Sequence, residues 1–169
     1  MKRTLIWVCV ALMTITLCSC GNKPVQNTDF QIQTELKQLS EEEYIDFIMD
    51  WFDRQQTAFN ALSGVNMRVT IDKSLVHDDG WKNDVRKEAL KMKSICSEMI
   101  DYNETLVPDK MKETHGYLVL ASVYNDKGMD ALIKGVENTD SDEMTKAGEY
   151  NTLGMEYILK AAKSLPNKS

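Results

Sequence analysis

Proline and glycine are scarce: three and eight residues of 169, which leaves one ordinary globular domain and no fibrous or low-complexity chain. Cysteine is scarcer than a disulfide-dense scaffold needs, with only Cys9, Cys18, Cys20 and Cys96. Basic residues are outnumbered, 20 against 26 acidic, for a net charge of −6. That balance argues against a nucleic-acid binder, whose phosphate contacts need a basic surface. The motifs GxSxG, P-loop, dinucleotide-type GxGxxG, HExxH and paired CxxC are all missing, which points away from an enzyme and from a resident cofactor. A membrane-spanning run is missing too. The run Leu5–Leu17, unbroken by any charge, reaches only about 20 Å as a helix against a hydrocarbon core of about 30 Å. What is present, 43% hydrophobic and 27% charged residues, suffices to bury a core.

The N-terminus carries an address. Lys2 and Arg3 precede the Leu5–Leu17 run, the layout of a secretory signal peptide. Leu17-Cys18-Ser19-Cys20-Gly21 follows, with Leu at −3, a small residue at −1 and Cys at +1. This resembles the lipobox of bacterial lipoproteins. The resemblance implies a diacylglycerol on the Cys20 sulfur, cleavage after Ser19, and acylation of the new N-terminus by a fatty acid such as palmitate. Two or three acyl chains, at about 0.8 kcal/mol per buried methylene, would hold the protein firmly at a membrane. An ordinary secretory signal with chance cysteines is the alternative. Loss of residues 1–19 deepens the net charge to −8 and leaves Cys96 as the one free thiol. No intramolecular disulfide would then be available, and stability must come from packing.

Residues 20–39 are the lipidated Cys20 and a polar, Gln/Asn-rich tether, unless Phe30, Ile32, Leu36 and Leu39 pack on the domain. The domain proper covers 40–169. Ser40-Glu41-Glu42-Glu43 reads as a capping box, with Leu39 and Tyr44 as a hydrophobic staple. Apolar residues then recur at three and four, and Gly64 reads as the C-terminal cap of a first helix. Residues 64–79 read as a long connection with a short extended piece at Arg68–Ile71, long enough to cross the bundle. Asp78 or Asp79 caps a second helix, Pro108 opens a third running to about Glu137, and Asp140 caps a fourth that ends before Pro166.

Small residues recur every seven positions on the last two helices: Ala121, Gly128 and Gly135, then Ala147, Gly154 and Ala161. An antiparallel hairpin turning near Ser141 would set Gly128 level with Gly154, and Gly135 with Ala147. Such pairs let helices approach near the short end of the 8–10 Å range. The expected fold is all-α: an antiparallel four-helix bundle behind a lipoprotein signal peptide and a flexible tether.

Candidate chemistry is thin. Asn138, Asp140, Asp142 and Glu149 follow EF-hand spacing, but Glu143 stands where that loop needs Gly, so a helix turn is the preferred reading. His77-Asp78-Asp79 reads as a turn and cap before it reads as a metal site. His115 lies on an apolar stripe and Cys96 between Met92 and Met99, so both read as buried and inert. Tyr117, Tyr124, Tyr150 and Tyr157, with Met111, Met129, Met144 and Met155, either fill the core or line a groove. The expectation is a non-catalytic lipoprotein held at the membrane by Cys20, extracytoplasmic, and engaging a protein partner in the cell envelope. The alternative is a lipoprotein binding a small ligand or metal through a Tyr/Met-lined groove or the acidic turn.

Overall fold

The structure, a computed structural model, describes residues 37–166; Cys20, the expected signal peptide at 1–19 and the expected tether up to residue 36 lie outside the described residues. Four α-helices occur among the described residues: α1 Glu41–Ile71, α2 Asp79–Ile100, α3 Lys112–Asn138 and α4 Ser141–Ser164. No strand occurs among the described residues. The helices alternate in direction, each beside the next in sequence. Trp51 and Trp81 stitch α1 to α2, Lys93 and Arg86 reach from α2 to Asp126 and Glu137 of α3, and Thr114 of α3 meets Ser164 of α4. This is the antiparallel four-helix bundle.

Capping residues start α1 as the sequence dictates. The Ser40 hydroxyl accepts the Glu43 N–H at 3.2 Å, and the Glu43 carboxylate accepts the Ser40 N–H at 2.8 Å. Leu39 packs beside Tyr44, and its N–H donates to the Leu106 carbonyl, so the last residues before the bundle are docked on it. The helix does not stop at Gly64. It continues through Arg68–Ile71, the stretch expected to be extended. Tertiary contacts override the local cost of glycine: Val65 and Val69 pack in the core, the Trp81 indole donates to the Val65 carbonyl, and Arg68 pairs with Asp84 at 2.7 Å. The long connection therefore shrinks to a 3₁₀ turn, Lys73–His77, between Asp72 and Asp78. A link that short joins neighbours, which fixes the order of the first two helices.

Asp78 accepts the Trp81 N–H and caps α2. Pro108 heads only a single 3₁₀ turn, Asp109–Met111, before α3 begins at Lys112. Asp140 caps α4 by accepting the N–H groups of Asp142 and Glu143. Two apolar clusters fill the interior. One, around Tyr44, Ile48, Trp51, Met99 and Leu118, sits at the end where the chain enters; the other, around Trp81, Val85, Met92, Met129 and Val136, sits at the opposite end.

The hairpin of α3 and α4 packs most closely of all helix pairs, and its register differs from the expected one. The chain reverses at Thr139, in the left-handed region at φ 55°, and Asp140, rather than at Ser141. Each small residue consequently faces a position about one turn away from its expected partner. A Cβ on Gly128 would stand 2.5 Å from the Asn151 amide oxygen and 3.3 Å from the Ala147 carbonyl oxygen. A Cβ on Gly154 would collide with the Asn125 amide oxygen. At Gly135 it would lie 2.9 Å from the Met144 backbone nitrogen, so only glycine admits the tight reversal. The small-residue seam exists, but glycines seat asparagines rather than one another.

Candidate functional site

The reciprocal seating of Asn125 on Gly154 and Asn151 on Gly128 has a sequence origin. Residues 121–135 and 147–161 share Ala, Tyr-Asn, Gly-Met and Lys at matching positions, offset by 26 residues. The motif A-x-x-Y-N-x-x-G-M therefore occurs once on each arm of the hairpin. Antiparallel packing relates the two copies by a local two-fold axis, so each asparagine meets the other copy's glycine. The stride of 100° per residue sends the motif's tyrosines and its Asn and Met to opposite sides of the seam.

On one side stands a ladder of four half-buried tyrosines. Tyr124 and Tyr157 stack at 5.5 Å with an interplanar angle of 8°, and Tyr117 and Tyr150 extend the row at 6.4 and 6.5 Å. Lys160 lies over the Tyr157 ring at 4.4 Å, and Lys127 over Tyr124 at 5.7 Å. Leu120 and Leu153, at 41% and 36% exposure, share this face by helical spacing.

On the other side is a cleft of about 250 Å³. Asn125 and Met129 line it from α3, and Asn151, Met155 and Ile158 from α4. Phe52, Gln55, Gln56 and Phe59 face it from α1, and Met92 from α2. It exists because α1 and α4 join around Ala161 and Tyr44, at the entry end, without closing along the rest of their length. All ten lining residues are uncharged. The Gln55 side chain is buried, and its Nε2 meets no oxygen or nitrogen acceptor, only the Cys96 sulfur beside it. The expected Tyr/Met groove is thus divided: Met129 and Met155 enter the cleft, the tyrosines form the ladder, Met111 is buried in the core, and half-buried Met144 packs against the other cluster.

The remaining candidates are structural. The Cys96 thiol is fully buried, and desolvation with Asp126 nearby pushes its pKa up to about 12, so it stays protonated and unreactive. Asp78 of the His77-Asp78-Asp79 run is spent on the α2 cap. In the acidic turn, Asp140 caps α4, and Glu143 is held below the usual carboxylate range by Lys146 and Lys134. No group of three or more His, Cys, Asp or Glu side chains able to hold a metal ion occurs among the described residues.

His115 lies in the interior at 3% exposure, its Nδ1 2.6 Å from the Tyr44 hydroxyl and its ring against Tyr102. Burial lowers its pKa below the ordinary 6.5, so the folded state holds it neutral. Below pH 6.5 the unfolded chain takes up a proton that the folded chain refuses. Its contribution is therefore intact above about 6.5 and falls as pH drops towards the folded-state value. Denaturant titrations from pH 7 to 5 are expected to show a loss in which His115 accounts for at most about 1.4 kcal/mol per pH unit. In His115→Phe that part of the slope should vanish; an unchanged slope would contradict a neutral buried imidazole.

The fold and these two faces define the protein as a small helical bundle with an aromatic outer surface and an uncharged internal cleft. Compared with protein-family models, curated proteins and solved structures, the chain matches none.

Proposed function

We propose that this chain is a lipid-anchored, non-catalytic protein of the bacterial cell envelope whose bundle engages a protein partner through the tyrosine ladder. The ladder is the observation that supports this reading. Tyrosine offers a large amphipathic contact area at small entropic cost and is enriched where partners bind most tightly. Four such rings, bordered by exposed Leu120 and Leu153 and by Lys127 and Lys160, form a continuous patch on one face of a rigid hairpin. The resemblance of Leu17-Cys18-Ser19-Cys20 to a lipobox supports Cys20 as the anchor, with residues 20–39 as the tether ahead of the bundle.

A photo-crosslinking residue at Leu153 is expected to give a discrete adduct in intact cells, and the same residue at Leu90, exposed on α2, is not. Cys20→Ser should release the protein from the membrane fraction and weaken the Leu153 adduct. Equal labelling at both sites would reject the ladder as the interface, and normal membrane retention of Cys20→Ser would reject the anchor.

A further inference from the structure

We infer that the cleft between α1 and α4 is a binding site for a small neutral molecule with an apolar body and a carbonyl oxygen. This goes beyond the partner surface proposed above, which lies on the other side of the seam.

Charge is the first argument. More than a quarter of the chain is ionisable, yet no ionisable side chain lines the cleft. An ion entering it would lose hydration with no opposite charge to compensate, so the site selects against ionic ligands. The second argument is Gln55. A buried amide N–H whose only acceptor is a thiol sulfur falls short of a full hydrogen bond, and burying it so costs free energy. The thiol of Cys96 beside it is a weak acceptor, and Gln55 opens on the cleft. A carbonyl oxygen arriving there would satisfy the donor. The third argument is construction. Asn125 and Asn151 are seated at the cleft by glycines that no larger residue could replace without moving them, so two further amides are held in place at the wall. Met129, Met155 and Phe52 supply polarizable and aromatic surface for the apolar body. At about 250 Å³ the site lies below the roughly 300–1,000 Å³ of drug-sized pockets, which restricts it to a compact occupant.

The test is a methyl NMR titration of the full chain in lipid nanodiscs, labelled at methionine methyls, with benzamide, benzoate and benzamidinium as probes of one shape and three charges. Benzamide is expected to shift the Met129 and Met155 methyls saturably, at a concentration at least tenfold below that required by either ion. Met49 and Met67, exposed on α1, should stay in place. Gln55→Leu, similar in size but lacking the amide, should weaken benzamide at least fivefold. If that variant does not fold, Ile158→Trp, which fills the cleft from α4, should abolish the benzamide shifts. The inference is overturned if Met129 and Met155 ignore benzamide, if the ions titrate them equally well, or if the substitutions leave the titration unchanged.

Discussion

Trp51→Ala is expected to cost roughly 4 kcal/mol, the largest loss available from a single side chain here. Trp51 has no exposed surface and packs with Tyr44, Ile48 and Met99, its ring edge-on to Phe52 at 5.0 Å. Its indole N–H donates to the Ile95 carbonyl at 2.9 Å, bridging α1 and α2. Truncation removes the apolar burial, leaves a cavity, and loses the hydrogen bond between the two helices, while the Ile95 carbonyl keeps its place in the α2 ladder. Domains of this size have about 5–15 kcal/mol in all, so the melting temperature should fall by on the order of 10 °C or more. Trp51→Phe keeps a ring and loses the hydrogen bond, and should fall between the two. Thermal unfolding followed by circular dichroism measures both; a drop of under about 3 °C for Trp51→Ala would contradict its placement.

Gly128→Leu is expected to destabilise by about 2 kcal/mol net, although leucine is the better helix former by nearly 1 kcal/mol. The new side chain must displace the Asn151 amide and press on the Ala147 carbonyl, part of the α4 backbone. Gly64→Ala supplies the opposite sign. A Cβ there meets nothing within 4 Å, so the substitution should stabilise by about 0.5–1 kcal/mol. Paired melts of the two variants separate a packing role from the general cost of glycine in a helix. Equal signs would dissolve the distinction.

The same contrast shows what the sequence could disclose. Local chemistry was legible: Ser40 with Glu43, Asp78 and Asp140 cap as their spacing implies, because a capping bond spans only two or three residues. Gly64 misled because a glycine at a helix end and one inside a helix look alike locally. The difference lies in Trp81 reaching back to the Val65 carbonyl. The seam was legible as a seven-residue spacing of small residues, but its register hung on whether the chain turns at Ser141 or at Thr139. A shift that small moves each contact by about one turn. The duplicated Tyr-Asn-x-x-Gly-Met motif was present to be found, and a comparison of the chain with itself would have revealed it. Gln55 carried no such signal. A glutamine on a helix reads as a solvated residue, and only the assembled bundle buries it.

The even number of helices has a consequence for how the molecule is presented. The chain enters at Ser40 and finishes near Ser164 at one pole, where the Thr114 hydroxyl meets that of Ser164. Two of the three reversals, at Lys73–His77 and Thr139–Asp140, lie at the other, and the third, between α2 and α3, lies beside the entry, where Leu39 bonds Leu106. With 31 residues in α1 at about 1.5 Å each, the poles stand some 45 Å apart. The described chain therefore begins and ends at one pole. The ladder and the cleft lie on different sides of the α3–α4 seam, along the shaft rather than at a pole, and the acidic reversal forms the tip away from Ser40.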